Sequence, residues 1–131
     1  MASAILEFKT IAAIHDAFDA KKISPTELTR ATLDAAHASP TNAYLTFCDE
    51  RALMQAKSAN AVLTKAGRVP RSESPLFGIP MGVKDILTLE GVRTTAASKM
   101  LDTYVPPYTA SAVKRLEDAG AITIGKLNMD E

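Results

Sequence analysis

The sequence predicts an α/β fold. A mainly helical lobe over about residues 1–67 leads, over about residues 75–131, into an α/β part that begins with a strand–helix–strand crossover. Three observations carry this. Apolar residues recur at helical spacing between Ile11 and Leu63. From Lys84 to Gly125 the order is strand, helix, strand, the pattern of a right-handed crossover between parallel strands. The composition, 47% apolar and 23% charged in 131 residues, is that of a globular protein with enough chain for one domain.

Ile11, Ile14 and Phe18 form one apolar stripe at i, i+3 and i+7, with Thr10 placed to cap it. The next helix is marked by Ser24-Pro25-Thr26-Glu27: a capping serine, proline at the first helical position and glutamate at the third. Leu28, Thr32 and Ala35 share a face, and Ser39-Pro40 ends the element. Ala43 to Cys48 reads as a short strand. A long helix follows from about Asp49, whose carboxylate and that of Glu50 suit its positive end. Leu53, Ala56, Ala59 and Leu63 line one side of it, and Gly67 fits a left-handed C-cap.

Arg68 to Ser74 is a polar loop. The next strand is expected over Gly82 to Thr88, which sends the side chains of Lys84 and Asp85 to opposite faces. Asp85 is therefore not the ion-pair partner of Lys84; it is free to orient nearby backbone, and its role stays open. Gly91 marks a turn, Arg93 to Ala97 is expected to cross the mouth of the site, and Pro106-Pro107 imposes an extended path. Thr109 is a candidate cap for a helix running to Asp118, with Val113 and Leu116 inward and Gly120 at its end. Ala121 to Gly125 is a short strand of the buried type.

Composition excludes several functions. Fifteen basic and fifteen acidic residues give zero formal charge, and no basic run provides an electrostatic footprint for nucleic acid. The single cysteine, Cys48, makes no internal disulfide and fits a small buried hydrophobe in a reducing compartment. No apolar run reaches membrane-spanning length, and the N-terminal residues lack a signal-peptide pattern, so a cytoplasmic protein is expected. His15 and His37 read as surface or helix-end residues, because neither stands in metal-ligand spacing. Gly125-Lys126 lacks the surrounding residues of a phosphate-binding loop. Lys99 and Lys114 read as solvated charges.

Lys84 is the candidate for chemistry. It lies in the apolar run Gly78-Ile79-Pro80-Met81-Gly82-Val83-Lys84. A free lysine titrates near about 10.4, and burial lowers that value and creates a general base. The alternative is a lysine at a strand end that carries its ammonium out to water.

The segment Pro75-Leu-Phe-Gly-Ile-Pro-Met-Gly-Val-Lys-Asp85 resembles the lysine motif of the amidase signature family. The resemblance continues through Thr94-Thr95-Ala-Ala-Ser-Lys-Met-Leu101, Tyr104-Val-Pro-Pro-Tyr108, Leu116-Glu-Asp-Ala-Gly-Ala121 and Gly125-Lys-Leu-Asn-Met-Asp-Glu131. It is densest from Pro75 onward and looser but collinear from about Ile11 to Thr64. The last two blocks look most like the glutamyl-tRNA(Gln) amidotransferase A-subunit branch of that family.

The resemblance implies a fold in which the helical lobe leads into the first strands and crossover helix of a mixed sheet, and an amide hydrolase with a Ser–Ser–Lys triad. One serine attacks, a second relays its proton, and a neutral lysine receives it. Lys84 matches that lysine. The family's two serines lie in a Gly/Ser-rich segment downstream of the Asn-Met-Asp-Glu block, and this sequence stops at Glu131. The expectation is therefore an N-terminal part of the enzyme, holding the base without the nucleophile and inactive alone. Of the serines present, Ser98 is the candidate, fourteen residues after Lys84 in a Thr/Ala/Ser-rich turn, a context that suits a helix-start cap at least as well.

In the A-subunit branch the implied substrate is glutamine, whose ammonia serves conversion of Glu-tRNA(Gln) to Gln-tRNA(Gln). The implied partners are the B and C subunits, with tRNA held only indirectly. No cofactor or metal is implied on this chain; ATP and Mg are expected on one of the partners. Two other readings stay open: a truncated non-catalytic homologue that acts as an interaction module or self-associates, and a Schiff-base role for Lys84.

Overall fold

A computed structural model describes residues 7–130. Ser3 and Glu131, the last residue of the final motif block, lie outside the described residues. Helix α1 spans Ile11–Asp19, and Thr10 caps it by accepting the Ala13 N–H at 3.1 Å. Helix α2 spans Pro25–Ala38. Its capping box is complete: Ser24 Oγ accepts the Glu27 N–H, and Glu27 Oε2 accepts the Ser24 N–H at 2.8 Å. Strand β1 (Tyr44–Phe47) leads into helix α3 (Asp49–Ala66), which ends on Gly67 at φ +73°. Strand β2 is Pro80–Lys84, a single 3₁₀ turn covers Lys99–Leu101, helix α4 is Ser111–Asp118, and strand β3 is Ile122–Leu127.

The strands form one mixed sheet in the order β1-β3-β2. β2 runs parallel to β3, as the strand–helix–strand pattern requires, and β1 pairs with β3 antiparallel. The sheet's middle strand therefore comes last in the chain, and the N-terminal half supplies one of its edges. Ile122 and Ile124 of β3 pack on Leu33 of α2 and on Ala52 and Ala56 of α3. The two alanines are fully buried, so the alanine-rich side of α3 lets helix and sheet approach closely. A second cluster joins Ala17, Phe18, Ile23, Leu28, Val69 and Phe77 at the helical end. A third holds Cys48, Val83, Leu89 and Val113 beneath β2.

A polar network ties α3 to the α4–β3 unit. Glu117 takes a forked contact from Arg51 (2.8 and 3.0 Å) and bonds from Gln55 Nε2 (2.9 Å) and Thr123 Oγ1 (2.8 Å). Gln55 Oε1 in turn accepts the Thr123 N–H at 3.1 Å.

Several details depart from the sequence expectations. β2 begins and ends earlier than Gly82 to Thr88, because the Leu87 N–H turns back onto the Lys84 carbonyl at 3.0 Å. Thr109 does not cap α4; its hydroxyl accepts the Glu90 N–H, and α4 starts after Ala110 without a side-chain cap. Leu116 faces outward. His15 is buried, not superficial: only 3% exposed, with Nε2 placed 3.0 Å from the Phe77 carbonyl. His37 does sit at a helix end, 2.9 Å from Asp49 and stacked on Phe47. No described helix is long and apolar enough to cross a membrane.

Candidate functional site

Strand alternation sorts the motif residues. Val83 and Asp85 point into the protein, and Lys84, between them, points out. Lys84 is exposed at the carboxyl end of β2, opposite Leu127 of β3. The buried lysine expected at position 84 is found instead at Lys126. On β3 the pairing with β2 shifts register at Ile124: Ile122 and Ile124 pack on α2 and α3, whereas Lys126 lies opposite Val83 and enters the same interior as Val83 and Asp85.

Lys126 and Asp85 are both 0% exposed. Lys126 Nζ donates to Asp85 Oδ1 at 2.9 Å and to Thr94 Oγ1 at 2.9 Å. The other carboxylate oxygen, Oδ2, accepts the Thr95 hydroxyl at 2.6 Å and the Thr95 N–H at 2.9 Å. Burial pushes the Asp85 pKa up, but the Thr95 hydroxyl, the Lys126 hydrogen bond, the Thr95 amide and the Lys126 charge outweigh it. Together they hold the carboxyl below its ordinary range. Lys84 and Asp85 do not pair, as the alternation of side chains requires, and Asp85 orients backbone through its Thr95 contact. Sequence reasoning missed its partner, Lys126: the register shift at Ile124 interrupts the alternation of the last strand, so the apolar pattern from Ala121 to Gly125 does not show which face Lys126 takes.

The turn after Arg93 is bound into the same cluster. Thr94 and Thr95 are buried, so this segment lies beneath the carboxyl end of β2 rather than crossing open space. The Ala96 N–H donates to the Asp85 carbonyl (3.1 Å), and the Ala97 N–H to Thr95 Oγ1 (3.1 Å). Ala96 and Ala97 both have positive φ, +49° and +57°, a left-handed conformation that costs an L-residue about 1–2 kcal/mol. Ser98 caps the 3₁₀ turn by accepting the Met100 N–H. A shallow hollow of about 160 Å³ next to this turn is lined by Leu45, Arg93, Thr95, Ala97, Ser98 and Asn128.

Lys114 makes an ordinary i,i+4 pair with Asp118. Cys48 is buried and its thiol is pushed up chiefly by desolvation, against the pull of Arg51 and Lys126, which makes it a packing residue rather than a nucleophile. Among the described residues, no three His, Cys, Asp or Glu side chains converge as a metal site would need.

The arrangement is thus an exposed lysine at a strand terminus, held from behind by a buried ion pair and two threonines. The sequence model of the Amidase family matches residues 27–131. The A subunit of the glutamyl-tRNA(Gln) amidotransferase of Geobacter sp. (strain M21) is 44% identical over 124 residues, which is 93% of this chain and 24% of that protein. The protein of the same name from Bordetella bronchiseptica is 47% identical over 126 residues, 95% of this chain and 24% of its own. Among solved structures, the peptide amidase of Stenotrophomonas maltophilia superposes with a TM-score of 0.82 at 30% identity, covering 95% of this chain and 26% of that one. The chain therefore spans about a quarter of the length of the curated relatives it matches.

Proposed function

The chain belongs to the amidase signature family, and on that premise we propose that it is the N-terminal part of the glutamine-hydrolysing A subunit of an amidotransferase. The observation that carries this reading is the 44–47% identity to glutamyl-tRNA(Gln) amidotransferase A subunits, over almost the whole chain. In this reading Lys84 is the base of a Ser–Ser–Lys triad. Its outward position at the end of β2 supports the role, since both serines would come from residues beyond 131 and must meet it on the uncovered side of the strand.

The parent protein would release ammonia from glutamine and pass it to B and C subunits, where ATP and Mg²⁺ activate Glu-tRNA(Gln). The tRNA contacts one of those partners, consistent with the zero net charge of this segment. The setting is cytoplasmic. Residues 1–131 alone lack the serines and have no glutaminase activity.

The test is Lys84→Ala in the complete amidotransferase. Glutamine-dependent formation of Gln-tRNA falls by about 10²–10⁴-fold, the usual contribution of a general base, while amidation supplied with free ammonia continues. Glutaminase activity at the parent level in that variant would refute the assignment.

A second reading, an interaction module without catalysis, is favoured by the exposed apolar residues Met100, Val105, Tyr108 and Ile86, of which Met100 is 94% exposed. Light scattering decides it: self-association of the 131-residue chain supports this reading, and a stable monomer counts against it.

A further inference from the structure

We propose that Asp85 and Lys126 act as a positioning pair for Lys84, fixing both the end of β2 and the strained Thr94–Ser98 turn around it. The inference rests on the assignment of Lys84 as the base and names the residues that hold it.

Lys84 is exposed, so its own side-chain packing does not fix its place. Its backbone is fixed by its neighbour. The Asp85 N–H donates to the Leu127 carbonyl at 3.0 Å, the Asp85 carbonyl accepts the Ala96 N–H at 3.1 Å, and the Lys84 carbonyl accepts the Leu87 N–H at 3.0 Å. The Asp85 carboxylate then joins three segments at one point: β2 through its own backbone, β3 through Lys126, and the turn through Thr95. A slip of β2 against β3 by two residues would carry Lys126 away from Asp85 and leave both charges buried without partners. The pair thus permits one register.

The turn needs the same anchor. Ala96 and Ala97 occupy left-handed backbone that alanine does not favour, and persist because the surrounding contacts over-determine them. Those contacts start at Asp85: it holds Thr95, and the Thr95 hydroxyl holds the Ala97 N–H. Without the carboxylate, the turn relaxes and the peptide bearing Lys84 loses its restraint on that side. A misplaced base costs turnover more than substrate binding, because binding does not depend on where the proton goes.

The experiment uses the complete amidotransferase, with variants Asp85→Asn, Lys126→Met, the double variant and Thr95→Val, and Lys84→Ala prepared alongside. Rates are expressed per folded active complex. The proposal expects Asp85→Asn and Lys126→Met each to lower the glutaminase kcat at least tenfold with KM changed less than twofold. It expects the double variant to be no worse than the poorer single one, as for two residues acting as a unit. Thr95→Val leaves the ion pair in place and serves if the charge variants do not fold; a kcat loss of threefold or more is expected there, again with KM steady. A kcat unchanged in Thr95→Val and in whichever charge variants fold, with only thermal stability reduced, would overturn the proposal while a dead Lys84→Ala left the assignment of the base intact. An active Lys84→Ala would overturn that assignment first, and this inference with it.

Discussion

Replacing Lys126 by methionine removes one member of a fully desolvated ion pair and keeps most of the side-chain volume. Asp85 is left 0% exposed with its charge at pH 7. Breaking a buried pair in this way costs about 3–5 kcal/mol, since the remaining charge has lost its compensation. Here the lower end applies: Oδ2 keeps both Thr95 donors, at 2.6 and 2.9 Å, and only Oδ1 loses its partner. A loss of about 3 kcal/mol in a chain of this size corresponds to roughly 10–15 °C in Tm. Urea or thermal unfolding of the 131-residue chain, followed by circular dichroism, measures it. Asp85 has a folded pKa below its ordinary value, so its contribution is complete above about pH 4 and is lost as pH falls through the folded value. In the variant the carboxyl takes up a proton more readily, so the difference from the parent chain shrinks as pH approaches 4. Adding Asp85→Asn to Lys126→Met recovers much of the loss, because no charge is then stranded. A destabilisation below about 1 kcal/mol at pH 7 would refute a desolvated pair and mean that Lys126 reaches water.

Three further outcomes follow from other parts of the fold. His15 is held below its ordinary pKa by burial, against the pull of the Phe77 carbonyl, with Arg71 lowering it and Asp19 and Asp16 raising it. The stability it contributes is therefore full above about pH 6.5 and falls, by at most about 1.4 kcal/mol per pH unit, as pH drops toward the folded value; His15→Gln flattens that slope in unfolding curves taken between pH 7 and 5. Gly120→Ala destabilises by more than about 2 kcal/mol, since a Cβ there sits 2.7 Å from the Phe77 Cα and the backbone has φ +100°; denaturant midpoints report it. Ala97→Gly relieves the left-handed strain at φ +57° against glycine's larger unfolded entropy, for a net change between zero and about +1 kcal/mol of stability, whereas Ala97→Val loses stability in the same assay.

The elements governed by local rules were legible in the sequence. Thr10, the Ser24–Glu27 box and Gly67 each set a helix end through groups within four residues, and each acts as read. The parallel pairing of β2 and β3 followed from strand–helix–strand order alone. What failed depended on contacts distant in sequence. His15 is buried because the Phe77 carbonyl, 62 residues away, lies over it, and nothing within α1 announces that. Thr109 is taken by Glu90, 19 residues earlier, and so is unavailable to α4. β2 stops at Lys84 because the chain there turns to carry Asp85 into Thr95 and Lys126, and that exchange is invisible to a pattern of apolar residues.

The two lysines illustrate how an apolar run misleads about burial. Lys84 has the more apolar N-terminal neighbours, yet it is the exposed one; Lys126, after a glycine and beside a polar-looking terminus, is the buried one. Hydrophobic surroundings in sequence describe both faces of a strand at once, whereas burial is decided face by face. Once β2 and β3 are parallel with Val83 opposite Lys126, Asp85 and Lys126 must share the interior face, and Lys84 must take the other. A buried ion pair is a weak source of stability compared with apolar residues of the same size. Its presence here is better explained by what it forbids: any register except the one in which Lys84, on the far side of the same strand, stands at the carboxyl end of β2 beside the held turn.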